Sequence, residues 1–112
     1  MNRFWAGAAL GILMLGLSHQ TGAAGNAQRG KVKAEQVCAA CHGVDGAKPS
    51  APDQPILAGQ HYDYLVKALR DYKSGRRNNA IMKGFAEQLS RQDIEDVAAW
   101  FSRQPAKLET RH

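Results

Sequence analysis

Short stretches with apolar residues at helical spacing alternate along the chain with longer stretches where glycine, proline and asparagine break any period. The clearest periodic stretch is Tyr62, Leu65, Val66, Leu69 and Tyr72, with Lys67, Arg70, Asp71 and Lys73 on the other face. Three- and four-residue steps of this kind predict an amphipathic helix, and Gly75 stands where a left-handed cap would stop it. A second helix opens at Ser90-Arg91-Gln92-Asp93, which has the form of a capping box. Its buried stripe is Ile94, Val97, Ala98 and Phe101, with Trp100 beside it, and Pro105 ends it. A weaker helix is expected over residues 29–39, with Gly30 and Val32 as its small or apolar positions. Residues 43–59 hold Gly43, Gly46, Pro49, Pro52, Pro55 and Gly59, a density of breakers that predicts a long loop. Residues 76–89 read as a second irregular stretch. Long loops inside small domains tend to be functional. Past the first 24 residues nothing alternates with period two, so the expected fold class is all-α.

Residues 1–24 follow a different pattern. Met1-Asn2-Arg3 is a short positive start, Phe4 to Leu17 is uncharged and apolar, and Gly22-Ala23-Ala24 supplies small residues. That three-part pattern is a secretory signal peptide. The apolar run falls short of the roughly 20 residues of a membrane span, so the expected organisation is a leader over 1–24 and one domain over 25–112. A domain this short is marginal on its own core and usually needs a staple, a metal or a cofactor. With only two cysteines, no disulfide framework is available. The charge is basic, 15 Lys and Arg against 10 Asp and Glu, net +5. A modest basic balance suits acidic protein partners. It argues weakly for nucleic acid, because the basic residues are scattered and have no interleaved aromatics.

The two cysteines carry the chemistry. Cys38-Ala39-Ala40-Cys41-His42 is the attachment pattern for a covalent haem. Two thiols three positions apart can add to two vinyl groups on one haem edge, and the following imidazole then falls under the iron as proximal ligand. A thioredoxin-like redox pair would follow a strand in a βαβ unit, and no such unit is visible. A zinc site would need four ligands, and His61 and His112 are the only other histidines after the leader. A lone disulfide here would staple almost nothing.

For the opposite face of the iron, Met82 is the only methionine once Met1 and Met14 are set aside. A thioether there raises the reduction potential relative to two histidines. A lone methionine is more often a core filler, but the polar surroundings Asn78, Asn79, Lys83 and Gly84 speak against a core helix. His61 and an open site are the rivals. A proximal histidine needs an acceptor for its other ring nitrogen. The Pro55 carbonyl is the candidate, with Ile56 and Leu57 against the haem; the alternative is that Pro55 only shapes a turn.

Taken in order, these pieces resemble a class I cytochrome c, and more closely the small bacterial type similar to one half of the dihaem cytochrome c-four group. The resemblance rests on Gly30, on Cys38 to Gly43, on Pro55-Ile56-Leu57-Ala58-Gly59-Gln60 and on Tyr64 to Leu69. It continues through Met82-Lys83-Gly84-Phe85-Ala86 and Leu89 to Ile94. It implies thioethers at Cys38 and Cys41, His42 and Met82 as axial ligands of one haem c iron, and the Pro55 carbonyl on the His42 ring. It also implies that Gly30 meets Trp100, where relatives usually have tyrosine. One departure is Ile81, where many relatives place a proline before the methionine.

The function this implies is a periplasmic one-electron carrier rather than an enzyme, monomeric or in transient complexes. Its partners would be acidic redox proteins, with membrane contact only through redox complexes. Lys48 and Lys83 are the candidate steering charges. The alternative is a dedicated haem subunit of a periplasmic dehydrogenase acting on a sulfur compound or an alcohol. An open sixth site would instead make a haem enzyme or gas sensor.

Overall fold

The computed structural model describes residues 25–106 as a continuous stretch. The expected leader over 1–24, and the tail that carries His112, lie outside the described residues. Five helices follow in order: α1 (Ala27–Val37), α2 (Ala39–His42), α3 (Tyr62–Ser74), α4 (Ala80–Glu87) and α5 (Arg91–Ser102). Among the described residues none is a strand, and no helix is long and apolar enough to cross a membrane.

Local chemistry sets the helix ends. The Asn26 side chain accepts from the Arg29 backbone N–H at 2.9 Å and opens α1. Ser90 and Asp93 form a reciprocal capping box at the start of α5, so two orphan backbone N–H groups are satisfied there. Gly75 closes α3 at φ 83°, a left-handed value that a side chain makes costly. Val32, read as an inward position of α1, is 54% exposed. Gly30 and Ala34 face inward instead, one helical step apart.

The second irregular stretch is corrected. Residues 76–89 contain α4, an eight-residue helix. The asparagines that suggest a loop are its start: the Asn79 side chain accepts from the Met82 backbone N–H at 3.0 Å. That is an N-cap, so a polar pair before an apolar run marks a helix end here.

α1 crosses α5, the last helix, and α3 packs on both α4 and α5. The crossing is close because Gly30 has no side chain: a Cβ there would lie 1.9 Å from the Asp96 carbonyl oxygen and 3.0 Å from Trp100 Cβ. Asp96, buried on α5, fastens the same crossing. It accepts from the Asn26 backbone N–H at 2.7 Å, from Arg29 Nε at 2.9 Å and from Gln92 Nε2 at 2.9 Å. Burial works against the charged carboxylate, but these donors outweigh it and hold its pKa below the ordinary range.

The core of Ala34, Leu65, Val66, Leu89, Ile94, Val97, Ala98 and Phe101 lies between α1, α3 and α5. Only Ile94 and Val97 among the larger side chains are fully buried. Burying a side chain of that size stabilises by roughly 1.5–3 kcal/mol, so a core this thin calls for a further apolar body.

Candidate haem site

The Cys38-to-His42 segment sits on a break between helices. The Cys38 backbone N–H still donates to Ala34 O at 2.8 Å, closing α1. The chain then turns once as α2, and the His42 N–H donates to Cys38 O at 3.0 Å. This single turn brings Cys38, Cys41 and His42 onto the wall of one cavity. Both thiols are free, and burial pushes the Cys38 thiol up to about 11.

The loop after α2 wraps back over this turn. Ser50 N–H donates to Cys41 O at 2.9 Å, and Leu57 N–H to Gly46 O at 2.8 Å. Gly59 N–H then donates to Phe101 O at 2.9 Å, tying the loop to α5. Gly46 is required at the fold-back, since a Cβ there would press on Phe101 and Leu57 at 2.8 and 2.9 Å. The loop delivers Pro55, whose carbonyl oxygen lies 2.9 Å from His42 Nδ1. A carbonyl only accepts, so Nδ1 carries the proton and Nε2 is left with its lone pair for a metal. His42 itself is buried, 6% exposed.

The cavity measures about 430 Å³, within the usual range for a cofactor pocket. Its wall is mainly apolar: Leu57 and Ile56 from the loop, Leu65 and Leu69 from α3, and Val97 and Phe101 from α5. Met82 lines it from α4. His61, the rival ligand, caps the start of α3, is exposed and is not on the wall. Two thiols and an imidazole with a free Nε2 on the wall of one apolar chamber fit a covalently held porphyrin iron, and the Met82 side of α4 lines the same chamber.

Neither candidate steering lysine lines the cavity. Lys48 is exposed on the loop, while Lys83 pairs with Glu87 one turn along α4, so the second is largely neutralised. A different basic residue reaches the cavity, and sequence reading passed over it. Arg77 lines the wall together with Tyr64, Tyr72 and Asn79. The signal available was its place just after the α3 cap, opposite two tyrosines two turns apart on that helix.

Fold and site together define a small domain, all-helical among the described residues, built to hold a covalent haem. The cytochrome c family model matches residues 27–104, and the chain belongs to that family, whose prosthetic group is haem c. It is 45% identical over 104 residues to cytochrome c4 of Pseudomonas aeruginosa, covering 93% of this chain and 49% of that protein. It is 39% identical over 100 residues to a thiosulfate dehydrogenase electron acceptor of Stutzerimonas stutzeri, covering 86% of this chain and 46% of that one. Among solved structures it is similar to reduced recombinant cytochrome c4 from Pseudomonas stutzeri, with TM-score 0.66 and 45% identity over 73% of this chain and 47% of that one. The chain thus spans about half the length of these relatives.

Proposed function

We propose that the chain is a periplasmic one-electron carrier holding a single haem c. In this reading Cys38 and Cys41 form the thioethers, and His42 and Met82 are the axial ligands of the iron. Export depends on the leader over 1–24, whose charged start, apolar run and small-residue end support that role. The observation that carries the proposal is the His42 ring fixed by Pro55 O at 2.9 Å in a cavity that Met82 also lines.

Bound in the cavity, the haem would supply one-electron iron chemistry. The chain's residues do the rest. Pro55 fixes the His42 tautomer and ring orientation and raises its basicity as a donor. Met82 offers a soft neutral sulfur, which favours the reduced state. Leu57, Leu65, Leu69 and Phe101 keep water from the ring, so little solvent must reorganise when the charge changes. With both axial positions filled, no substrate pocket is needed.

The test is an absorption and pyridine-haemochrome spectrum of the periplasmic protein. The expected result is one covalent haem per chain and, in the oxidised protein, the weak long-wavelength band of sulfur–iron ligation. Absence of covalent haem sinks the reading. Carbon monoxide binding at neutral pH without that band would favour an open sixth site.

A second reading has support from the relative that is a thiosulfate dehydrogenase electron acceptor: a dedicated haem subunit of a periplasmic dehydrogenase. Apolar residues at the cavity mouth suit it, with Ile56 42% and Ile81 70% exposed. Size-exclusion of the native protein separates the two readings, since a stable heteromer would defeat the free carrier.

A further inference from the structure

The loop between α2 and α3 is tied to α5 at both of its ends, by two neighbouring residues of that helix. Near its far end the Gly59 N–H donates to Phe101 O at 2.9 Å. Near its start Trp100 Nε1 donates to Val44 O at 2.8 Å. The first tie runs from backbone to backbone, so it does not depend on which side chain residue 101 carries. The second depends on residue 100 being a tryptophan. An indole has its one donor on the flank of the ring, whereas a tyrosine has its hydroxyl at the tip and a phenylalanine has none.

Trp100 is itself held in place. Its Cβ lies where a side chain on Gly30 would come within 3.0 Å of it. Lys31 Nζ stands 5.7 Å over the ring, and the ring packs against the core. A half-buried indole gripped in this way aims its N–H with little freedom.

The bond it makes falls close to the iron ligand. Val44 is two residues past His42, in a turn closed by the Gly46 N–H on Gly43 O at 3.1 Å. The Asp45 side chain tightens that turn by accepting from the Ala47 N–H at 2.9 Å. From the same turn Gly46 O accepts from the Leu57 and Ala58 N–H groups at 2.8 and 3.2 Å. Leu57 stands two residues beyond Pro55, whose carbonyl meets His42 Nδ1. One short turn therefore carries His42 on one side by covalent bonds and Pro55 on the other by hydrogen bonds, and the indole pins that turn to α5.

We propose that Trp100 is a positioning residue for electron transfer: through the 43–46 turn its indole N–H sets the strength of the His42–Pro55 hydrogen bond, and with it the reduction potential. The inference rests on the haem reading above and deepens it. A firm bond makes the imidazole a more basic ligand, which favours the oxidised iron, so a slack bond raises the potential.

Hydrogen exchange at His42 Nδ1–H tests this, followed by ¹⁵N NMR on the reduced haem-loaded chain beside its reduction potential. Trp100→Phe keeps an aromatic ring at the helix crossing and deletes the donor. It is expected to exchange that proton about fivefold faster, the equivalent of one net hydrogen bond, and to have a higher potential. Asn26→Ala is the control for stability alone, since it removes the cap at the far end of α1; its His42 proton is expected to exchange as in the native protein. An unchanged rate in Trp100→Phe, equal acceleration in both variants, or a faster rate without a change in potential overturns the proposal. Where Trp100→Phe does not mature, the native protein decides: its Trp100 indole N–H is expected to be protected, and exchange at the rate of free tryptophan refutes the anchor. A native protein without covalent haem is a separate failure, that of the underlying reading.

Discussion

Two glycines on helices make opposite predictions for one substitution. At Gly30, the Cβ of an alanine would lie 1.9 Å from the Asp96 carbonyl oxygen and 2.5 Å from its carbon. Both are backbone atoms inside α5, so no side chain can swing aside. Ordinary contact needs about 3.5 Å, so α1 and α5 must part by roughly 1.5 Å. Overpacking of this kind costs about 1–3 kcal/mol. Parting the helices also stretches the Asn26 and Arg29 bonds to Asp96, each worth about 1 kcal/mol or more. Against this, alanine is the better helix former by about 1 kcal/mol. Gly30→Ala is therefore expected to lose about 2–4 kcal/mol. At Gly84, inside α4, a Cβ meets nothing within 4 Å, so only the propensity term remains and Gly84→Ala is expected to gain up to about 1 kcal/mol. Urea unfolding of the haem-loaded proteins, in one redox state, measures both. A Gly30→Ala protein as stable as the parent would refute the close crossing, because propensity would then have won at both sites.

Other outcomes follow from named contacts. Met82→Ala is expected to abolish the long-wavelength band, lower the reduction potential and admit carbon monoxide; an unchanged spectrum removes Met82 as ligand. Asn79→Ala removes the cap on α4 and should cost about 1 kcal/mol, read as a lower Tm with the haem still attached. Asp96 has its pKa held below the usual range, so its contribution is complete above the unfolded value of about 4 and is lost as pH falls through the folded value. The stability gap between the parent and Asp96→Asn should accordingly be constant at neutral pH and shrink below about pH 4; a gap independent of pH would speak against the ionised carboxylate.

The sequence made α3 and α5 more legible than α1 and α4. The bounds of α3 and α5 follow from periodicity, the Gly75 stop and the Ser90–Asp93 box, because those signals act within one or two turns. α4 was hidden because its cap, Asn79, looks like loop composition. Its apolar positions Ile81, Met82 and Phe85 make sense only against a cavity that other elements build. Three of the five haem-motif residues could be assigned chemistry from their spacing alone. The Pro55 carbonyl could be no more than a candidate, since a backbone oxygen carries no residue signature. Arg77 and Asp96 were unread for a related reason. Each is one charge among many until the fold brings it, respectively, to two tyrosine rings and to the start of α1.

The crossing of α1 and α5 also has a consequence in time. Its partners are the first and last helices of the described chain, with Asn26 and Arg29 bonded to Asp96 across almost the whole domain. Contacts so distant in sequence form late, because the intervening loop must close first. Until α5 docks, the cluster of Val97, Ala98 and Phe101 with α1 and α3, against which Cys38 packs, is incomplete. The Cys38 thiol, half-buried in the finished fold, is thus less covered before α5 docks, which leaves an interval for joining it to another molecule before the structure shuts.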